Sequence, residues 1–251
     1  MVKRKLNYLL LITLFFLVCL SCSKEDSNEQ SSERVKISFR LINDGEPLDF
    51  TTQYLNGSGE FYTVNKFKFY ISNIRLTTLE NKVSAEKESY HLIDLESPES
   101  KEISPAINKG SYKSIEFVLG VDSLRNVSGA QTGALDPTNG MFWTWNSGYI
   151  FAKLEGKSPA STAPGQTITY HIGGFKTGEN AQRKISLDFP SPVVTGKTTL
   201  VVIDVDLAKW FDGQHKISIA ANPSLMTPGG LSLSIADNYA TMFSIEKVIN
   251  P

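Results

Sequence analysis

Residues 67–76 read FKFYISNIRL, from Phe67 to Leu76. Apolar and polar side chains alternate through most of this run, and its apolar members are aromatic or branched. That pattern suits a strand with one face in a core. Working outward, residues 35–41 (VKISFRL) alternate the same way. Further runs of strand character lie at 90–95, 114–119, 149–154, 167–172, 184–189, 198–204 and 215–220. Turn clusters such as Asn56-Gly57-Ser58-Gly59 and Pro228-Gly229-Gly230 separate them. Many short strands with Gly, Pro and Asn punctuation predict an all-β sandwich. Helical periodicity is confined to 231–239 and 207–211, so only a short C-terminal helical segment is expected. No internal repeat is visible.

The N-terminus reads as a targeting signal. Lys3, Arg4 and Lys5 precede an apolar run from Leu6 to Leu20, too short for a comfortable membrane span and suited to a signal peptide. Cys19-Leu20-Ser21-Cys22 then reads as a lipoprotein cleavage box. The expected organisation is a signal peptide at 1–21, Cys22 as the lipidated first residue, a polar tether at 22–34, and one domain at 35–251. The tether (SKEDSNEQSSE) is too poor in apolar groups to fold. Its start, Lys24-Glu25-Asp26, resembles the surface-export signal of Bacteroidetes lipoproteins. The expected location is the outer membrane, on its periplasmic or its outer side.

The chain contains two cysteines, Cys19 and Cys22, so the mature domain has neither thiol nor disulfide. Any metal site would draw on His, Met, carboxylate, amide or backbone groups. A net charge of −1, with no basic run, leaves no nucleic-acid footprint. No Ser-His-Asp order, nucleophile elbow or paired-carboxylate pattern stands out, so no enzyme is expected.

Chemistry-bearing residues concentrate in 129–156, GAQTGALDPTNGMFWTWNSGYIFAKLEG. A turn set by Asp136 and Asn139 leads into Met141, Trp143 and Trp145. Asp122 and Asp136 bracket an oxygen-rich loop that suits calcium, though Asp-Pro-Thr-Asn-Gly is equally good turn chemistry. On a strand, Trp143 and Trp145 would share a face and fill a core. The chain's three histidines are His91, His171 and His215, and none forms a short-range metal motif. Alternation in TITYHIGG places His171 opposite Ile168, Tyr170 and Ile172, just before a Gly-Gly turn. Trp210 reads as a packing residue.

The run NGMFWTWNSGYIFAKLEG, with FKFYISNIRL upstream and HIGGF downstream, resembles the MbnP-like family. These are secreted or lipid-anchored copper-binding proteins related to methanobactin-associated MbnP and to methanotroph CorA. The resemblance covers Val35 onward and implies an immunoglobulin-like β-sandwich with long loops. It implies copper as the cofactor and makes His171 the first ligand, with His215, His91 and Met141 as the remaining candidates. It also implies oxidation of Trp143 or Trp145 to kynurenine by a di-haem partner of the cytochrome c peroxidase type. Ring opening would turn an indole, which only donates, into an aryl amine and ketone able to bind metal. A role in copper acquisition would add a TonB-dependent outer-membrane transporter as a partner. The competing reading is a surface lipoprotein that binds carbohydrate or protein through an exposed row of Trp143, Trp145 and Tyr149. Burial of those rings separates the two.

Overall fold

The computed structural model describes residues 35–145, 148–196 and 198–250. The expected signal peptide at 1–21, the tether at 22–34 and Cys22 lie outside the described residues. Among those described, no helix is long and apolar enough to cross a membrane.

The longer strands are β1 (Lys36–Asn43), β2 (Phe61–Thr78), β3 (Tyr90–Asp94), β4 (Ser111–Leu119), β5 (Gly148–Lys157), β6 (Thr167–Gly173), β7 (Arg183–Val194), β8 (Leu200–Asp206) and β9 (Phe243–Ile249). Helices are few: α1 (Ser123–Val127), α2 (Ala208–Phe211) and α3 (Gly230–Tyr239). The smaller sheet pairs β9 antiparallel to β8, and β8 parallel to β1. The larger sheet runs β7–β4–β2–β5–β6 and ends on the short segment Ser224–Leu225. This is the all-β sandwich with a C-terminal helix that the strand patterns predict.

β2 organises the larger sheet. Lys68 to Ser72 pair with β3 along one edge, while β5 takes residues up to Phe69 and β4 those from Ile71 along the other. The register with β4 breaks between Ser72 and Arg75, where Asn73 has φ 54°. Asparagine tolerates that left-handed backbone better than most side chains. The two sheets meet through aromatic rings. Phe69 lies 6.4 Å from Phe39 of β1 and 5.9 Å from Phe243 of β9, and Phe117 of β4 completes the group at 5.2 Å from Phe243. All four are buried, in edge-on geometry that suits aromatic quadrupoles.

One expected strand fails to form and one strand went unread. Residues 215–220 form no strand; their backbone donors bond elsewhere. Glu60 Oε2 accepts from Ile219 N at 2.7 Å, and Oε1 accepts from Ala220 N at 2.9 Å and Ser218 Oγ at 2.8 Å. A carboxylate thus replaces a neighbouring strand. The other miss is β9, whose largely exposed residues obscure its edge position.

Burial pushes the Glu60 carboxyl up, but hydrogen bonds from Asn56, Ala220, Ile219 and Ser218 outweigh it and hold it below its usual 4.5. A depressed carboxyl stabilises the fold above its unfolded value, and that contribution is lost as pH falls. Glu60→Gln is therefore expected to cost about 1–2 kcal/mol at pH 7. The gap to wild type should close as pH drops below 4.5. Urea denaturation at both pH values checks this; a gap that persists in acid would mean the carboxylate's charge is not what holds the loop.

Candidate functional site

Cross-strand register builds one row of polar side chains on the face of the larger sheet turned away from the smaller one. Asp94 of β3 faces Lys68 of β2, Lys68 faces Lys153 of β5, and Lys153 faces His171 of β6. Lys68 Nζ lies 2.8 Å from the Asp94 carboxylate. Glu155 leaves the same face two residues after Lys153 and reaches diagonally to His171, whose Nε2 lies 2.8 Å from Glu155 Oε1. Its other oxygen is 3.4 Å from Lys66 Nζ.

Only 15% of the His171 side chain is exposed, and burial pulls its imidazole below the usual 6.5 despite the carboxylate. Burial pushes the Glu155 carboxyl up. The His171 hydrogen bond and the Lys66 and Lys153 charges outweigh this and leave it below its usual range. Burial also lowers Lys153, whose ammonium donates to the Gly140 carbonyl. The result is a neutral imidazole whose Nε2–H donates to a charged carboxylate. That tautomer leaves Nδ1 as the lone-pair nitrogen.

The loop ahead of the tryptophans folds over this face. Asp136 Oδ1 accepts from Thr138 N at 2.8 Å, and Asn139 Nδ2 donates to the carbonyls of Gly133 and Ala134. Tyr70 and Tyr149 rise beneath it and donate to the Ala134 and Leu135 carbonyls at 3.0 and 2.8 Å. Phe142 and Trp143 then pair with Tyr149 and Gly148 at the start of β5. Trp143 is 4% exposed, with its benzo edge on the Gly173 backbone; a Cβ there would sit 2.9 Å from Cζ3 and Cη2. Since Gly173 follows His171 by two in β6, both point to the same face. The ring therefore fills the side-chain place next to His171. Its Nε1 is buried with no hydrogen-bond partner among the described residues.

Trp145 departs from the expectation of a shared face. The strand lasts only for Phe142–Trp143, and the turn that follows leaves Trp145 62% exposed. The two indoles still touch, with centroids 5.7 Å apart. Tyr149 is fully buried, so Trp145 stands without the exposed aromatic row that a glycan platform needs.

The other candidates lie apart from His171. His91 pairs with Ile71 in register, on the opposite sheet face, and its Nε2 is 2.7 Å from Glu86. His215 is 3.2 Å from Asp237 of α3. Each histidine thus has its own carboxylate. Met141 is buried in the hydrophobic cluster, and Trp210 packs between Phe67, Tyr170 and Tyr239. Asp122 caps α1 through the backbone N–H of Arg125. Among the described residues, no group of three or more His, Cys, Asp or Glu side chains converges as a metal cluster. The donor set next to Trp143 is one imidazole braced by one carboxylate. Sequence reasoning missed Glu155 and Lys153, although alternation in AKLEG places both on one face.

A sequence model of the MbnP family matches residues 32–227. Among solved structures, MbnP from Methylosinus trichosporium superposes with a TM-score of 0.54 at 17% identity, over 80% of this chain and 83% of that one. At that identity the likeness establishes the fold. No curated protein matches the sequence.

Proposed function

Because this chain belongs to the MbnP family, we propose that it binds copper in the cell envelope through His171 and serves copper acquisition or handling. The observation that carries this reading is the His171–Glu155 pair beside Trp143. A carboxylate on one ring nitrogen fixes the imidazole's tautomer and raises the basicity of the other, the usual support for a metal-ligating histidine. Burial keeps that imidazole neutral, and so ready to bind, near pH 7.

One imidazole does not close a copper site. The second donor in this reading is a hairpin tryptophan after ring opening, and Trp143 is the one seated next to His171. Copper, once bound, supplies redox and ligand-exchange chemistry; the chain's own residues seat, orient and shield it. A di-haem partner of the cytochrome c peroxidase type carries out the oxidation, docking where Trp145 is exposed. Cys22 carries the lipid anchor at the outer membrane, and a TonB-dependent transporter completes the uptake route.

The test is a Cu(I) and Cu(II) titration of residues 33–251, with intact-mass spectrometry on this chain and on protein from its native host. The native form is expected to hold one copper per chain, with an oxygen-bearing mass change on its Trp143–Trp145 peptide, and the unoxidised chain to bind copper more weakly. His171→Ala should abolish binding while circular dichroism stays unchanged. Glu155→Gln should weaken it about 10–100-fold. Undiminished copper binding by His171→Ala would sink the assignment.

A further inference from the structure

A cavity of about 300 Å³ opens beside Tyr90, lined by none of the residues of the His171 row. Glu88, Tyr90, Arg125, Gln131 and the turn from Thr132 to Leu135 line it. Its charged wall is built from the floor up. The Tyr90 hydroxyl donates to the Asp122 carboxylate, which fixes the ring. The Arg125 guanidinium lies 5.6 Å above that ring's centroid, a cation–π seat. Arg125 Nη1 donates to Gln131 Oε1 at 3.1 Å, and Gln131 Nε2 returns a bond to the Arg125 carbonyl at 3.1 Å. The guanidinium is therefore positioned before any ligand arrives.

Its partner is held loosely. Glu88 pairs with Arg125 Nη2, yet its side chain is 75% exposed and its backbone has φ 49°. Exposed ion pairs contribute about 0–1 kcal/mol, so these charges separate at little cost. A cavity mouth with one fixed guanidinium and one movable carboxylate matches a molecule carrying both charges. Its carboxylate would take the planar fork of Arg125, and its ammonium would take Glu88. The volume is at the lower end of the range for small-ligand sites.

We propose that this cavity binds a zwitterionic α-amino acid, clamped between Arg125 and Glu88. The site is independent of copper, because none of its lining residues belongs to the His171 row.

Isothermal titration with L-glutamine tests this, with acetate and ethylamine as probes carrying a single charge. Wild type should bind glutamine saturably, and His171→Ala should bind it equally well. Arg125→Gln and Glu88→Gln should each weaken it at least about tenfold, the loss expected for one charge-assisted hydrogen bond. Acetate and ethylamine should bind far more weakly than glutamine. The proposal is overturned if glutamine shows no saturable binding up to roughly 10 mM. It is also overturned if acetate binds as tightly as glutamine, or if Glu88→Gln binds like wild type.

Discussion

Gly173→Ala is expected to destabilise the domain by about 2 kcal/mol and to release Trp143 from its seat. A methyl group at this position would meet the Tyr149 carbonyl at 2.6 Å and the Trp143 ring at 2.9 Å. Two effects oppose each other. Replacing glycine in a strand by alanine ordinarily stabilises by roughly 0.5–1 kcal/mol, because the unfolded chain loses less freedom. Overpacking a filled core costs about 1–3 kcal/mol, and here one of the contacts is backbone that a rotamer change cannot relieve. Sterics wins, and the hairpin bonds between Phe142–Trp143 and β5 loosen with it. Thermal denaturation should show the loss. Trp143 emission should shift to the red as the indole meets water, and the copper binding proposed for His171 should weaken with it. A variant that melts with wild type and keeps its emission maximum would show that the ring does not rest on Gly173.

The second large effect lies in the core. Phe69→Ala should cost about 3–5 kcal/mol, the range for deleting a buried aromatic ring. Phe69 touches Phe67 in its own strand and Phe39 and Phe243 in the opposite sheet, so the cavity would open where both layers meet. Total stability for a domain is about 5–15 kcal/mol, so this one ring accounts for a large share. A fall in Tm of about 10 °C is expected. Leu124→Ala, at a site 73% exposed, is the matched control and should change stability by less than about 0.5 kcal/mol. Equal Tm changes in the two variants would refute the placement of Phe69 between the sheets.

The elements that were legible in advance are those with strong alternation. FKFYISNIRL reads as a strand because Phe67 and Phe69 face the other sheet while Lys68 faces away. Its length was less legible, since Asn73 interrupts the pattern with a left-handed residue and a register shift without ending the strand. Residues 215–220 show the reverse failure. Ile217 and Ile219 alternate and are buried as a strand's would be, but a distant carboxylate takes the backbone donors. No local pattern encodes a partner more than 150 positions away.

For the candidate site, it was the family resemblance that singled out His171, at the end of a strand before Gly-Gly. Glu155 was not legible, because its pairing with His171 depends on the register between β5 and β6. Register also separates His91 from His171: β2 and β5 lie between their strands, and the side chains emerge on opposite faces. The different fates of Trp143 and Trp145 turn on where a two-residue strand stops, which alternation alone does not reveal.

The parallel pairing of β1 with β8 sets an order of events during synthesis. Arg40 and Asp204 sit side by side in that register, joined at 2.6 Å, although 164 positions separate them in the chain. The first strand of the domain to emerge must wait for nearly the last. Contacts of such long sequence separation close slowly, because the intervening chain must be ordered first. Until β8 and β9 arrive, β1 has an unpaired edge and the core-facing Phe69 and Phe117 lack the ring of Phe243. Such surfaces invite association with other chains. A ribosome stalled before residue 200 would therefore yield a larger sheet that lacks β8 and β9 of its partner layer.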